Sequence, residues 1–369
     1  MAARIPNTLA VVAYLVAVSV LLAFCYARPS YNWDMLAYAA VVLDDGEVSP
    51  EALHAEVYSI ASEEIPAEAY SMLVDTSHPL RKEVLESPER FYQFLSFFRI
   101  KPLYTGMCSA FHALGVPLMK ATVFPSTISI FLLSLLLFFR FSRTVPFWVA
   151  GVLGLSVICA PPVIEAARLS TPDALSTLIL VGALVLYLQR AQAFWYLLLL
   201  AVAVLVRLDN VIPATVLLFL LIVRESREEE HKGIILPAAC LLVLFFAYSY
   251  LILRYAEYNH GFNEFYGGLA GKWKVLVSDA VRGLKTLQTS YVAIGGISFV
   301  VLFYRNGFRL SGLNRNQLVF VAATIAFLAR YVLFPDLTTR FFLWYYILCW
   351  IFIVEGIVGS GQRPSLEER

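Results

Sequence analysis

Charge is scarce in this chain. Asp, Glu, Lys and Arg make up 15% of its 369 residues, while 60% are hydrophobic. Soluble domains carry about a quarter charged residues, so this balance excludes an ordinary soluble domain and points to a polytopic membrane protein. The net charge of +1 supplies no basic field for nucleic acid. Cysteine is also sparse: Cys25, Cys108, Cys159, Cys240 and Cys349 lie scattered in or near apolar runs, odd in number and without a CxxC pair. Neither a disulfide framework nor a zinc site is supported. The histidines lack metal-ligand spacing, and no glycine-rich phosphate loop occurs.

What the chain does have is long apolar runs. A bilayer core takes about 20 apolar residues per helix, fewer where neighbours shelter it. On that template about ten spans are expected, near 8–26, 124–139, 146–163, 173–188, 193–206, 210–223, 234–253, 288–304, 317–334 and 342–359. The first run, "TLAVVAYLVAVSVLLAFCYA", is longer than a signal-peptide core and is read as a retained helix. Segment 103–119 carries glycines, His112 and Pro117, and suits a helix that lies at the interface without crossing.

Short loops set the orientation. With a cytoplasmic N-terminus, one side holds Arg4, Arg140, Arg143, Arg190, Arg224, Arg227, Lys232, Arg305, Arg309, Arg315, Arg363 and Arg369. The short loops and adjoining helix ends of the other side hold only Arg168, Arg207, Arg330 and Arg340; long loops do not enter the count. The positive-inside rule makes the first side cytoplasmic, with the C-terminus there too. A full crossing at 103–119 would reverse that bias. The chain then forms a single polytopic domain over 1–369, with two long outer segments at 27–123 and 254–287. Within the first, "FYQFLSFF" reads as an amphipathic helix in the headgroup region.

Each short outer turn carries both an acid and an arginine: Arg168 with Asp173, Arg207 with Asp209, and Arg340 with Asp336. Ionisable groups near membrane depth are costly and are usually paired or functional. Any single pair reads plainly as a helix cap or a staple between turns. Three such turns on one face, beneath a loop that opens with Asp34 in "SYNWDMLAYAA", point to a site.

The order of these features resembles the GT-C glycosyltransferases, among them the bacterial lipid A aminoarabinose transferases and the protein O-mannosyltransferases. The likeness rests on a first helix, a large outer loop opening with an aspartate, "KPLY", and an outer "TPDAL" turn. It covers roughly the first 220 residues and, more loosely, the turn "TTRFFLWYY". It implies an all-α GT-C helix bundle with interfacial helices, Asp34 as the catalytic acid of the first loop, Lys101 on the lipid phosphate, and Asp173 lining the same cavity. "KPLY" stands where the family has a fuller "KPP" form, and no DxD pair occurs, which leaves divalent metal use and the acceptor open.

Chemistry leads to the same residues. A sugar on a polyprenyl phosphate brings its own leaving group. The protein then needs a carboxylate base for the acceptor hydroxyl and cations for the departing phosphate. Asp34 supplies the base. Candidate cations are Lys101, Arg168, Arg207, Arg254, Lys272, Lys274, Arg330 and Arg340, with Lys101 and Arg340 favoured for their aromatic neighbours and Tyr104 beside Lys101. Trp33 and Tyr38 offer shielding or stacking, as do Trp273, Trp344, Tyr345 and Tyr346, unless they belong to the interfacial belt. Asp173, Asp209 and Arg168 are expected around the cavity. His78 and His260 are acceptor contacts or plain loop residues. The expected partners are the bilayer of a bacterial inner membrane, a polyprenyl-phosphate sugar, and a glycan, lipid or protein acceptor. The alternative is a lipid or solute transporter or flippase, which calls for related halves with broken helices near the midplane.

Overall fold

The computed structural model of the chain describes residues 7–77, 79–190, 192–225, 235–255, 278, 289–304, 313–333 and 339–358. These residues form helices and turns without a strand. The extended pairing among them is an isolated parallel bridge between Ser30 and Leu169.

Helix α1 (Asn7–Ala27) buries Tyr14, Val18, Leu22 and Cys25 and leaves Leu9, Val12, Val16, Val20 and Phe24 exposed. Both faces are apolar, and an outward apolar stripe of this length is compatible with a membrane-spanning helix.

A cap of shorter helices follows: α2 (Asp34–Leu43), α3 (Pro50–Glu64), α4 (Ala67–Leu73), α5 (Pro79–Glu86), α6 (Pro88–Phe94), α7 (Ser96–Arg99) and α8 (Pro102–Ala113). Proline divides them. It cannot continue the preceding helix but suits a first turn, where its missing N–H costs nothing. Ser49 and Ser87 cap α3 and α6 by accepting from the amides of Ala52 and Arg90. The cap has its own core, built on Met35, Leu36, Tyr38, Leu53, Phe91, Leu95, Phe98 and Tyr104. "FYQFLSFF" is therefore packed into that core through Phe91, Leu95 and Phe98. Helix α8 has 12 residues, about 18 Å at 1.5 Å per residue, too short for a hydrocarbon core of about 30 Å.

Helix α9 (Leu118–Phe141) starts earlier than its apolar run. The Glu64 carboxylate at the end of α3 accepts from the amides of Leu118 (3.0 Å) and Met119 (2.8 Å). It thus satisfies two otherwise orphaned donors and complements the helix dipole. The acidic stretch of the first loop is in this way tied to the bundle.

The expected span 146–163 is two helices, α10 (Phe147–Ile158) and α11 (Pro161–Arg168), bent by 69°. The Pro161–Pro162 pair ends one helix and starts the next. Then come α12 (Asp173–Leu188), α13 (Ala193–Val206), α14 (Val211–Glu225), α15 (Ile235–Tyr255) and helices Thr289–Phe303, Arg315–Leu333 and Leu343–Val358. The bundle core joins α1, α9 and α12 to the last helix.

Every expected apolar segment thus holds a helix, but few are full length. Among the described residues four helical segments (Asn7–Ala27, Leu118–Phe141, Ile235–Ile252 and Arg340–Ile357) are long and apolar enough to cross a membrane, five if the bent pair counts as one. Helices α12 and α13, with 16 and 14 residues, fall short of the usual 20 or so. Several long apolar helices are compatible with an integral membrane protein. The second expected outer segment, 254–287, lies outside the described residues apart from Arg254, Tyr255 and Ser278.

Candidate active site

Four chain segments converge where the cap meets the bundle. The backbone N–H of Ser30 donates to the carbonyl of Arg168 at 2.9 Å, which ties the entry to the cap against the turn before α12. The N-termini of α2 and α12 are thereby brought close, and each begins with an aspartate, Asp34 and Asp173. A helix N-terminus favours a carboxylate. The third segment is the turn after α13, where Asn210 is held by Ser176 Oγ and donates to the carbonyl of Ala203 (2.7 Å), fixing Arg207 and Asp209. The fourth is the 3₁₀ turn Thr339–Phe342, which delivers Arg340 and Phe341.

Together they enclose a cavity of about 240 Å³ lined by Asp34, Tyr38, Phe94, Phe97, Phe98, Lys101, Thr171, Pro172, Asp173, Arg207, Arg340 and Phe341. One part of the wall is aromatic and the other charged. The cations Lys101, Arg207 and Arg340 outnumber the acids Asp34 and Asp173, so the wall favours an anion.

The charged groups alternate in sign. Arg330 donates through Nε (2.9 Å) and Nη2 (2.7 Å) to Asp209. Asp209 also accepts a bidentate pair from Arg207 at 2.8 and 2.9 Å. Arg207 in turn contacts Asp173. Arg340 stands between Asp173 (3.7 Å) and Asp34 (3.4 Å), and it makes no hydrogen bond to any described residue. The Phe341 ring lies against the guanidinium groups of Arg207, Arg330 and Arg340 at 5.0, 4.8 and 5.1 Å. Cation–π attraction to this one ring helps gather the three cations.

Burial and charge shift the acidities. Burial disfavours the charged form of Asp209, but Arg207 and Arg330 outweigh it and hold that carboxyl well below the usual range. Lys101 donates to Tyr38 Oη at 2.9 Å and lies over the ring of Phe98 at 4.6 Å. Burial, aided by repulsion from Arg207, lowers its ammonium from 10.5 to about 8. Burial, with Tyr104 and Asp34 nearby, pushes the Tyr38 phenol well above its ordinary value.

Six residues expected at a site therefore line this cavity: Asp34, Tyr38, Lys101, Asp173, Arg207 and Arg340. Three stand one layer behind. Tyr104 packs edge-on to Tyr38 and donates to the carbonyl of Thr122 (2.6 Å). Trp33 packs on Phe94, ring centroids 4.6 Å apart. Asp209 locks two arginines. Arg168 does not reach the cavity, because its Nε donates to the carbonyl of Arg28 (2.7 Å) on the exposed side. His78, His260, Asp336, Lys272, Trp273 and Lys274 lie outside the described residues.

Sequence reasoning missed Phe94, Phe97, Phe98, Thr171, Pro172 and Phe341 as wall residues. Thr171 and Phe341 had a signal, since each lies within two residues of a charged group already singled out, Asp173 and Arg340. Among the described residues no cluster of three or more His, Cys, Asp or Glu side chains stands ready for a metal. Compared with known proteins, the chain matches no family model, no curated protein and no solved structure.

Proposed function

We propose that the chain is an integral membrane glycosyltransferase of GT-C type, with about ten spans, the cavity on the non-cytoplasmic face and both termini in the cytoplasm. Its donor is a sugar on a polyprenyl phosphate. The short helices α12 and α13 fit this reading as spans sheltered by their neighbours.

In the reaction, Asp34 takes the proton from the acceptor hydroxyl. That oxygen attacks the anomeric carbon, and the bond from this carbon to the phosphate oxygen breaks. The phosphate leaves with the electron pair, its charge met by Lys101 and Arg340. The GT-C resemblance implies inversion at the anomeric carbon.

One observation supports the assignment of roles above others. Asp173 is 1% exposed and Asp209 15%, and hydrogen bonds or ion pairs to guanidinium groups engage both. Asp34 is 28% exposed, and its contact with Arg340 is longer, at 3.4 Å. It is the carboxylate of the three best placed to accept a proton. A phosphate drawn to Arg340 would also loosen that contact and free the base.

Asp34→Asn tests the reading. The amide keeps the shape but cannot take the proton, so turnover should fall by about 10²–10⁴-fold while thermal stability and donor binding hold. Near wild-type transfer by that variant would exclude Asp34 as the base. A transporter reading has one feature in its favour, the bent pair α10–α11. Donor-driven solute flux in vesicles, without sugar transfer, would favour it.

A further inference from the structure

Tyr38, Lys101 and Arg207 are hydrogen-bonded to protein partners, and the wall groups that are not are informative. Among the described residues four buried polar atoms of wall residues have no hydrogen-bond partner: both carboxylate oxygens of Asp173, which are ion-paired to Arg207 and Arg340, and the donors Arg340 Nε and Thr171 Oγ1. Thr171 is 2% exposed. Its backbone is fixed, because Ser126 Oγ donates to its carbonyl at 2.8 Å. It stands two residues before Asp173, whose Oδ2 is the carboxylate oxygen 3.7 Å from Arg340 Nε.

Leaving a buried hydroxyl unpaired costs free energy, and a buried polar group ordinarily has a partner. Thr171 is also β-branched, so valine would fill the same space without the hydroxyl. A hydroxyl kept there at a cost to the empty protein is explained if an acceptor arrives with a ligand.

We propose that Thr171 is a donor-binding residue whose hydroxyl donates to a non-bridging oxygen of the ligand's phosphate, beside Arg340. This inference rests on the reading of the cavity as a phosphate site and adds a neutral contact to its cations. It also separates the arginines by role. Arg340, without a hydrogen bond to a described residue, reaches for the ligand. Arg207 is engaged by Asp173 and Asp209 and acts as a positioning residue.

The test compares full-length wild type, Thr171→Val and Thr171→Ser in detergent. Each is melted with and without farnesyl phosphate, a short polyprenyl phosphate lacking a sugar, and binding is titrated. The expected result has opposite signs. Thr171→Val should melt at the same or a higher temperature when empty, because an unpaired hydroxyl has been removed. It should bind farnesyl phosphate about tenfold or more weakly, since hydrogen bonds to charged groups are the stronger class. Thr171→Ser should bind like wild type. A Thr171→Val protein that melts lower and binds normally would show a structural hydroxyl and overturn the inference. Unchanged binding at unchanged stability would overturn it as well, with the phosphate site itself intact. If wild type fails to bind farnesyl phosphate, the phosphate reading falls and this inference with it.

Discussion

The last helix has an arginine ion pair at each end, and the two are built differently. Near its C-terminal end Glu355 receives a fork from Arg140, Nε at 2.5 Å and Nη2 at 2.8 Å, with both side chains largely buried. Just before its N-terminal end Arg340 stands 3.4 and 3.7 Å from two carboxylates without hydrogen-bonding either. The first guanidinium is matched to one partner in the geometry that makes such pairs strong. The second is shared, loose and turned to a cavity. Arg140–Glu355 is the pair expected of a structural staple, and Arg340 the cation expected of a site awaiting an anion.

The comparison breaks most readily at the staple. Glu355→Gln leaves the Arg140 charge in a largely buried place without its counterion, so stability should drop by about 3 kcal/mol, in the range for one-sided removal from a buried pair. Thermal melting in detergent checks this, and farnesyl phosphate affinity should stay unchanged. Arg340→Gln should give the reverse pattern. Its affinity loss should be about 10–100-fold, from one charge-assisted contact, with little change in melting because no protein hydrogen bond is lost. If both variants melt low and bind normally, the two ends do not differ in kind.

A smaller effect comes from pH. Lys101 sits near 8 in the empty protein against 10.5 for an ordinary lysine. Its charge, and with it part of the attraction for phosphate, should be lost as pH rises through 8, by at most about tenfold per unit. Stability runs the other way. The unfolded chain holds more protons on this group between about 8 and 10.5, so the cost of burying the ammonium is relieved as pH rises through that window. A farnesyl phosphate titration from pH 7 to 9 reads the first effect. Lys101→Arg should flatten it, since guanidinium keeps its proton; an equally steep fall in that variant would assign the titration elsewhere.

Local signals in the sequence were enough for the elements. The span expected at 173–188 is α12 residue for residue, and that at 193–206 is α13, because each apolar run is bounded by turn-forming or charged neighbours. The break after Ile158 was visible in "APPVIE", yet a hydropathy window averages over it. The early start of α9 was not visible. It depends on Glu64, a carboxylate more than fifty residues away in the chain.

Pairing followed the same division. Arg207 with Asp209, two residues apart, could be read directly and is present. Arg168 with Asp173, five residues apart, was also local in sequence, yet it is absent from the described ion pairs because Arg168 turns to the carbonyl of Arg28. Arg340 meets Asp34 from the far end of the chain, and Arg330, on the helix Arg315–Leu333, meets Asp209 across 121 positions. Composition places such charges at one level of a bundle, but only tertiary packing decides which acid meets which base.

We propose that the cavity beneath the cap holds the phosphate of a lipid carrier beside Asp34. An experimental structure with a bound short-chain polyprenyl phosphate tests it most directly. The phosphate should lie within hydrogen-bond reach of Lys101 and Arg340, with Arg340 drawn away from Asp34 and the chain leaving along Phe94 and Phe97. A phosphate bound elsewhere, with Arg340 still between Asp34 and Asp173, would contradict the claim.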